Sequence, residues 1–329
     1  MENKQANTIG VDVCKATLDT ALLFTDGSFA EAQFSNDATG IKKLLAWAKQ
    51  HGAQRCVLCV EATGNLELDL CIAGSNAGHP IKIATPTAVA GFRKSLNLRN
   101  KTDGVDARLI AQFIAAIPPG NDWEKPSKAA LALRDALKGH RQLTQAHTAL
   151  SNCVNTMRDA KQKRIMAASL KHLDKQLDKI HATMADIIAQ DKRLTQLYQL
   201  LCSIPGIGPQ TAAILCAVLD NNTFENPNQL AAYAGITPMR RQSGDCEGRT
   251  RITKIGDAHL RTALFMAALS ARLHNPLIKA FADQLSRRRP ELTKKQIIVA
   301  CAHKLARMVY GVVKHQKPFD PNYGCDIAA

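Results

Sequence analysis

The sequence predicts an α/β domain at the N-terminal end followed by helices for the rest of the chain. Three observations carry this expectation. From residue 8 to about 120, short apolar runs of period two are interspersed with helical periodicity. The stretch "IPPGNDWEKPS", residues 117–127, has the proline and glycine content of a boundary. Between His140 and Ile204 there is neither glycine nor proline, while apolar residues recur at spacings of four and three. At 329 residues the chain is long enough for more than one core.

In "TIGVDV" the first strand is read at 8–13, with Ile9, Val11 and Val13 on one face and Gly10, Asp12 and Cys14 on the other. Strands follow at 18–24 and 29–34, joined by the turn "TDGS", then at 55–61 and 81–85. Helices are read at 38–51, 66–77, 86–95 and 104–117, after polar or proline signals such as "SNDATG" and "TPTA". Three strands and then strands alternating with helices predict a mixed sheet covered on both faces. Domain limits of 1–120, 127–200 and 201–329 follow.

In the central segment, Met166, Leu170, Leu173, Leu177, Ile180, Met184 and Ile187 form a heptad seam. A weaker seam, Leu143, Leu150, Val154 and Met157, interrupted by His140 and His147, precedes it. The polar run "RDAKQKR", 158–164, reads as a bend between two antiparallel helices rather than the solvated face of one long helix. This segment is expected to be a coiled-coil arm or dimerisation element. Further helices are expected near 209–219, 227–234, 257–273, 277–286 and 293–314, interrupted by an irregular basic stretch at 235–257.

Composition narrows the function. Lys and Arg number 43 against 28 Asp and Glu, a formal charge of +15, which points to a polyanionic partner and foremost to nucleic acid. No apolar run approaches the roughly 20 residues of a membrane span and "MENKQANTIG" has no apolar signal core, so a cytoplasmic protein is expected. The ten cysteines follow no disulfide spacing and are expected as thiols. The "CVLC" pair, Cys56 and Cys59, falls on opposite faces of a strand, which argues against a zinc or redox role.

Acids stand where apolar residues are expected. Asp12 points off a central strand. Glu61 lies at the C-terminal end of the strand in "CVLCVEATG", where open α/β sheets place ligands. In "NKTDGVDARLIAQFIAAI", Asp103 and Asp106 sit three apart on one side of a helical turn, and Asp106 is in line with Leu109, Ile110, Phe113 and Ile117. Singly, each has a structural explanation, a helix cap for Asp103 or a lysine partner for Glu61. Together, four carboxylates at adjacent strand ends would repel by about 1 kcal/mol per pair at 4 Å in water and about 4 at an effective dielectric of 20. A divalent cation reverses that sign, and oxygen-only donors favour Mg²⁺ or Mn²⁺.

The set "GVDVCKATLD", "VEATG", "LRNKTDGVDARLIAQF", "SIPGIGPQTAAILCAVL" and "RRQSGDCEGRTRITKIGDAHLRTALFMAAL" closely resembles the DEDD transposases of insertion sequences, the family that includes the Piv DNA invertases. The resemblance spans nearly the whole chain and is weakest in the central helices. It implies an RNase H-like (RuvC-like) N-terminal domain whose acidic tetrad falls on Asp12, Glu61, Asp103 and Asp106. It also implies a serine nucleophile in the "SG" element, here Ser243, the only serine of its loop. Read from the loop alone, Ser243 is a turn residue. A serine attacking a phosphodiester would conserve the bond as phosphoserine, so that strands could be rejoined without ATP. Asp245 and Glu247 could be bases but read better as surface acids, and Cys246 is a rival nucleophile that nothing in the sequence supports.

"IPGIG" between two helical patterns reads as a helix-hairpin-helix whose Gly206 and Gly208 admit a phosphate to backbone N–H groups, or as a plain helix–helix turn. Arg240, Arg241, Arg249, Arg251 and Lys254 surround Ser243, and Arg93, Lys94, Arg99, Lys101 and Arg108 surround the acidic pair. Arg287 to Arg289, Lys294 and Lys295 add a further basic run. All are candidates for phosphate contact, with solvated faces as the alternative. The resemblance further implies a structured non-coding guide RNA (a bridge or seek RNA) that pairs with donor and target DNA, and a homo-oligomer, dimer or tetramer, with a composite site. Rival readings are a metal-dependent junction-resolving nuclease with an idle Ser243, a phosphotransferase of the sugar-kinase type, and a non-catalytic DNA-binding protein.

Overall fold

A computed structural model describes residues 7–62, 64–97, 103–117, 122–220, 222–239, 242–243, 246–247 and 251–322, with backbone alone for 103–105, 242–243 and 246–247. The chain divides into two compact units, Met1–Lys125 and Pro126–Ala329.

The first unit contains β1 (Thr8–Val13), β2 (Thr17–Leu23), β3 (Phe29–Ser35), α1 (Ala38–Gln50), β4 (Val57–Glu61), α2 (Leu68–Asn76), β5 (Ile81–Ala84), α3 (Pro86–Ser95) and α4 (Asp103–Ala116). Its five-stranded sheet has the order β3-β2-β1-β4-β5. The first three strands form an antiparallel meander, and β4 and β5 add parallel to β1. The alternation in β1 and β4 sorts the two faces. Ile9, Val11, Val13, Leu58 and Val60 pack with Ile41 and Leu44 of α1 and Leu70 of α2. Cys59 packs on the opposite face with Val89 of α3 and Leu109, Ile110 and Phe113 of α4. Local signals set the helix starts: Asp37 accepts from the Gly40 N–H at 2.8 Å, and Thr85 from that of Ala88, with Pro86 in the first turn of α3.

The second unit holds α5 (Lys128–Thr156), α6 (Ala160–Gln190), α7 (Lys192–Cys202), α8 (Pro209–Leu219), α9 (Pro227–Tyr233), α10 (Ala258–His274), α11 (Pro276–Arg288) and α12 (Lys294–His315). The central helices share one core with those that follow. Leu133, Leu137, Met184 and Ile188 cluster with Leu201, Leu215, Leu264 and Leu305. The expected separate body at 127–200 is therefore rooted in the C-terminal unit. Helices α5 and α6 run antiparallel, since His140 meets His181 (Nε2 to Nε2, 2.9 Å) and His147 meets Asp174 (3.0 Å). The bend between them occupies 157–159, because Asp159 caps α6 by accepting from the Gln162 N–H at 2.7 Å. Most of "RDAKQKR" thus joins the helix. Met184 is buried, while Met166, Leu170, Leu173 and Leu177 of the seam stay half-buried.

Two expectations change. The stretch read as irregular at 235–257 contains an antiparallel ribbon: β6 (Pro238–Met239) pairs with β9 (Arg251–Ile252), and β7 (Gln242–Ser243) with β8 (Cys246–Glu247). And among the described residues one helix, α12, is by length and composition apolar enough to cross a membrane, with a mean hydropathy of 1.3. Its apolar side instead fills the core, where Ile298, Cys301, Leu305 and Val309 are buried.

Candidate active site

The parallel register of β1 on β4 pairs Gly10 with Cys59 and Val11 with Val60. The next positions are Asp12 and Glu61, side by side at the C-terminal ends of the two strands. Period two puts Asp12 on the face of Gly10 and Glu61 on that of Cys59, the face covered by α4. Both are half-buried.

Helix α4 crosses this face against the run of β1. Thr8 Oγ1 donates to the Ala111 carbonyl at 3.2 Å. A Cβ on Gly10 would lie 2.3 Å from the Ala107 oxygen and 2.3 Å from the Ala111 nitrogen. Glycine is required at position 10 because the helix backbone occupies the space of a side chain. Continuing two residues along β1 leads to Asp12, and about one turn back along α4 to its first residue, Asp103. The helix start that carries Asp103 and Asp106 is thus brought toward Asp12 and Glu61. The Asp103 side chain lies outside the described residues.

Asp106 is buried, and an oxygen of its carboxylate accepts from the Arg93 guanidinium of α3. This revises the reading of Arg93 as an open phosphate contact: here it compensates a buried carboxylate. Arg108 likewise pairs with Glu31 of β3. Lys94 is exposed, and Arg99 and Lys101 lie outside the described residues.

One acid of this face was missed. Asp19 of β2 pairs in register with Asp12. Directly opposite residues share a face at about 5 Å between Cβ atoms, so two like charges are set against each other. One Asp19 oxygen accepts from Gln33 Nε2 at 2.8 Å, and the other is buried with no hydrogen-bond partner among the described residues. The signal was present in "TLDTALL", but only the pairing register makes it legible. Among the described residues, no three His, Cys, Asp or Glu side chains are grouped closely enough to hold an ion. Cys56 and Cys59 are buried, and burial pushes both thiols up to about 12, so neither offers a thiolate near neutral pH.

In the second unit, Ser243 pairs with Cys246 as the innermost described pair of the ribbon. Arg251 and Lys254 are exposed near its base, while Arg240, Arg241 and Arg249 lie outside the described residues. Gly206 has φ +104°, and a Cβ there would stand 2.5 Å from Ala271 Cα. Packing against α10 therefore accounts for it. Gly208 caps α8 with nothing within 4 Å of a Cβ position, leaving that helix start approachable.

A family model for transposases of the IS110 DEDD type matches residues 9–161, and one described as the transposase IS116/IS110/IS902 family matches 198–283. The pilin gene-inverting protein of Moraxella bovis is 30% identical over 324 residues, covering 95% of this chain and 97% of its own. The chain belongs to the IS110 transposase family. A second pilin gene-inverting protein, from Moraxella lacunata, is 31% identical over the same shares. The transposase for insertion sequence element IS1111A of Coxiella burnetii is 26% identical over 283 residues, 74% of this chain and 73% of its own. A solved structure, Thermus thermophilus RuvC, aligns with 35% of this chain and 99% of its own at 16% identity and a TM-score of 0.26. This transposase is a DNA recombinase whose acidic face lies within the first family match and whose serine ribbon lies within the second.

Proposed function

We propose that this IS110 transposase cleaves and rejoins DNA strands by combining an acidic, cation-binding face with a serine nucleophile, in the cytoplasm and as a homo-oligomer. The reading is supported above all by the register that sets Asp12 beside Glu61 at the strand ends, under the start of α4. Asp12, Glu61, Asp103 and Asp106 would hold Mg²⁺ or Mn²⁺. The donor set is all oxygen, with Asp12 facing Asp19 and a buried Asp19 oxygen that has no hydrogen-bond partner among the described residues; Asp106 would exchange its Arg93 partner for the ion. When bound, the ion polarises a phosphodiester and neutralises developing charge.

Ser243 is the proposed nucleophile. Its Oγ forms a bond to phosphorus as the bond from phosphorus to the leaving sugar oxygen breaks, and the hydroxyl proton passes to that oxygen. The reverse steps reseal a new partner strand. Arg240, Arg241, Arg249, Arg251 and Lys254 supply positive charge around the ribbon, and Gly208 leaves the α8 amides open to a backbone phosphate. The basic balance of the chain suits a further polyanion, the guide RNA that the resemblance implies, with base pairing then setting the target.

The test is a covalent trap. Wild-type protein with DNA carrying the element ends should yield a denaturation-resistant protein–DNA adduct that Ser243→Ala does not form. Cleavage by Ser243→Ala at the wild-type rate would establish the plain nuclease reading instead. Sequencing the RNA that copurifies decides the guide: transcripts from DNA flanking the gene support it, and bulk cellular RNA alone excludes it.

A further inference from the structure

Helix α12 is two-sided. Its inward side is buried in the core, and its outward side carries His303, Lys304, Arg307, Tyr310, Lys314 and His315. The helix contains no Asp or Glu. With Pro227 of α9 and Phe281 of α11, this side walls a cavity of about 610 Å³. That is within the roughly 300–1,000 Å³ of sites that enclose a small organic group.

The lining joins cations to aromatic rings. Lys304 Nζ lies 4.6 Å from the Phe281 ring centre and Lys314 Nζ 5.6 Å from that of Tyr310. The Tyr310 hydroxyl donates to the Glu225 carbonyl at 2.6 Å, which fixes the ring. The lining includes Gly311, four residues before the end of α12, and a Cβ there would meet nothing within 4 Å. Glycine costs a helix interior about 1 kcal/mol relative to alanine. No neighbouring atom among the described residues calls for it, and the glycine leaves that part of the lining clear.

We propose that this groove binds a single strand of nucleic acid, a base lying against Tyr310 and Phe281 and the flanking phosphates on Lys304, Arg307 and Lys314. Lys304 and Lys314 stand roughly 15 Å apart along the helix axis, more than a lone nucleotide reaches and suited to a short run of them. A duplex keeps its bases stacked and offers only its backbone, so it leaves the cavity unfilled. Aromatic stacking with cationic phosphate contacts is the chemistry by which proteins hold unpaired strands. The α12 side of the groove lies beyond both family matches, while Pro227 and Phe281 fall within the second, and the groove does not depend on the acidic face or on Ser243.

Fluorescence anisotropy on the full chain tests this, with labelled oligothymidylate, oligouridylate and a mixed-sequence duplex across a salt series. Lys304→Ala with Arg307→Ala should weaken single-strand binding roughly tenfold or more and lower the salt slope by about 1.4, or 0.7 per phosphate contact. Gly311→Leu, which keeps every charge and a good helix former, should weaken the same binding while thermal melting shows an intact fold. The control Lys42→Ala with Lys43→Ala removes two exposed cations of α1. Loss with the thymidylate or with the uridylate supports the proposal and identifies the strand as DNA or RNA. Single-strand affinity unchanged relative to the control, or duplex affinity falling as much as single-strand affinity, overturns it. The readout is binding without cleavage and the substitutions lie on α12, so failure of the groove and failure of the acidic site are separable.

Discussion

Gly10→Ala should damage the N-terminal unit out of proportion to one methyl group. The new Cβ would start 2.3 Å from the Ala107 oxygen and 3.0 Å from Ala111 Cα, all backbone atoms of α4. Ordinary contact needs about 1 Å more, so the helix must retreat or tilt. That opens a gap around Leu109, Ile110 and Phe113, which α4 buries against the sheet, and a gap of that size forfeits about a quarter to a half of each contact. Overpacking of this kind costs about 1–3 kcal/mol, and the upper end is expected because the obstacle is backbone. A loss of about 3 kcal/mol lowers the midpoint of a unit this size by roughly 10 °C. Trp47 and Trp123 are the only tryptophans and both lie in Met1–Lys125, so tryptophan fluorescence reports that unit. Gly91→Ala is the comparison: it too sits in a helix of this unit, but its Cβ would meet nothing within 4 Å. It should stabilise the unit by up to about 1 kcal/mol and so raise the midpoint slightly. Equal midpoints for Gly10→Ala and wild type would refute the packing argument and, with it, the placement of α4 against Asp12.

Gly206→Ala should destabilise the C-terminal unit by about 2 kcal/mol or more, read by circular dichroism, because φ +104° and the nearby Ala271 backbone both exclude a side chain; an unchanged melt would contradict this. Asp12→Asn should lower cleavage of supercoiled DNA by roughly two orders of magnitude or more without lowering the tryptophan midpoint, since it removes one of two facing charges. Retained cleavage would exclude Asp12 from the chemistry. Burial, with His181 and His259 adding to it, holds the His140 imidazole below the usual histidine range. The unfolded chain therefore takes up the proton first as pH falls, and the stability held with neutral His140 is complete above about pH 6.5 and is lost as pH falls toward the lowered folded value. His140→Gln should flatten the fall in melting temperature across that window; a slope as steep as wild type would show that His140 does not contribute.

Much of the N-terminal sheet is legible in its alternation, because period two in "TIGVDV" and "VLCVE" is a property of adjacent residues. The same alternation assigns Asp12 and Glu61 to a common type of face. It does not reveal that Asp19 stands opposite Asp12, because that follows from a hairpin register. Nor does it reveal that Arg93 is committed to Asp106, thirteen residues away on another helix. The ribbon around Ser243 escaped for a related reason: its paired strands are two residues long, too short for any period to show. The half-buried seam of α6 has a clear heptad pattern, yet the pattern cannot say whether α5 or a second chain covers it.

By itself, the sequence determined the strands of the N-terminal sheet, most of the longer helices, and that an excess of positive charge accompanies a few acids at strand ends. These depend on residues within a turn or a strand of one another, where propensity, capping and spacing act. Only the tertiary structure decided that α4 lies on Gly10, that the central helices share the C-terminal core, and that the polar side of α12 encloses a cavity. Such outcomes are set by which distant surfaces exclude water together, and close packing selects among pairings that local patterns leave equivalent.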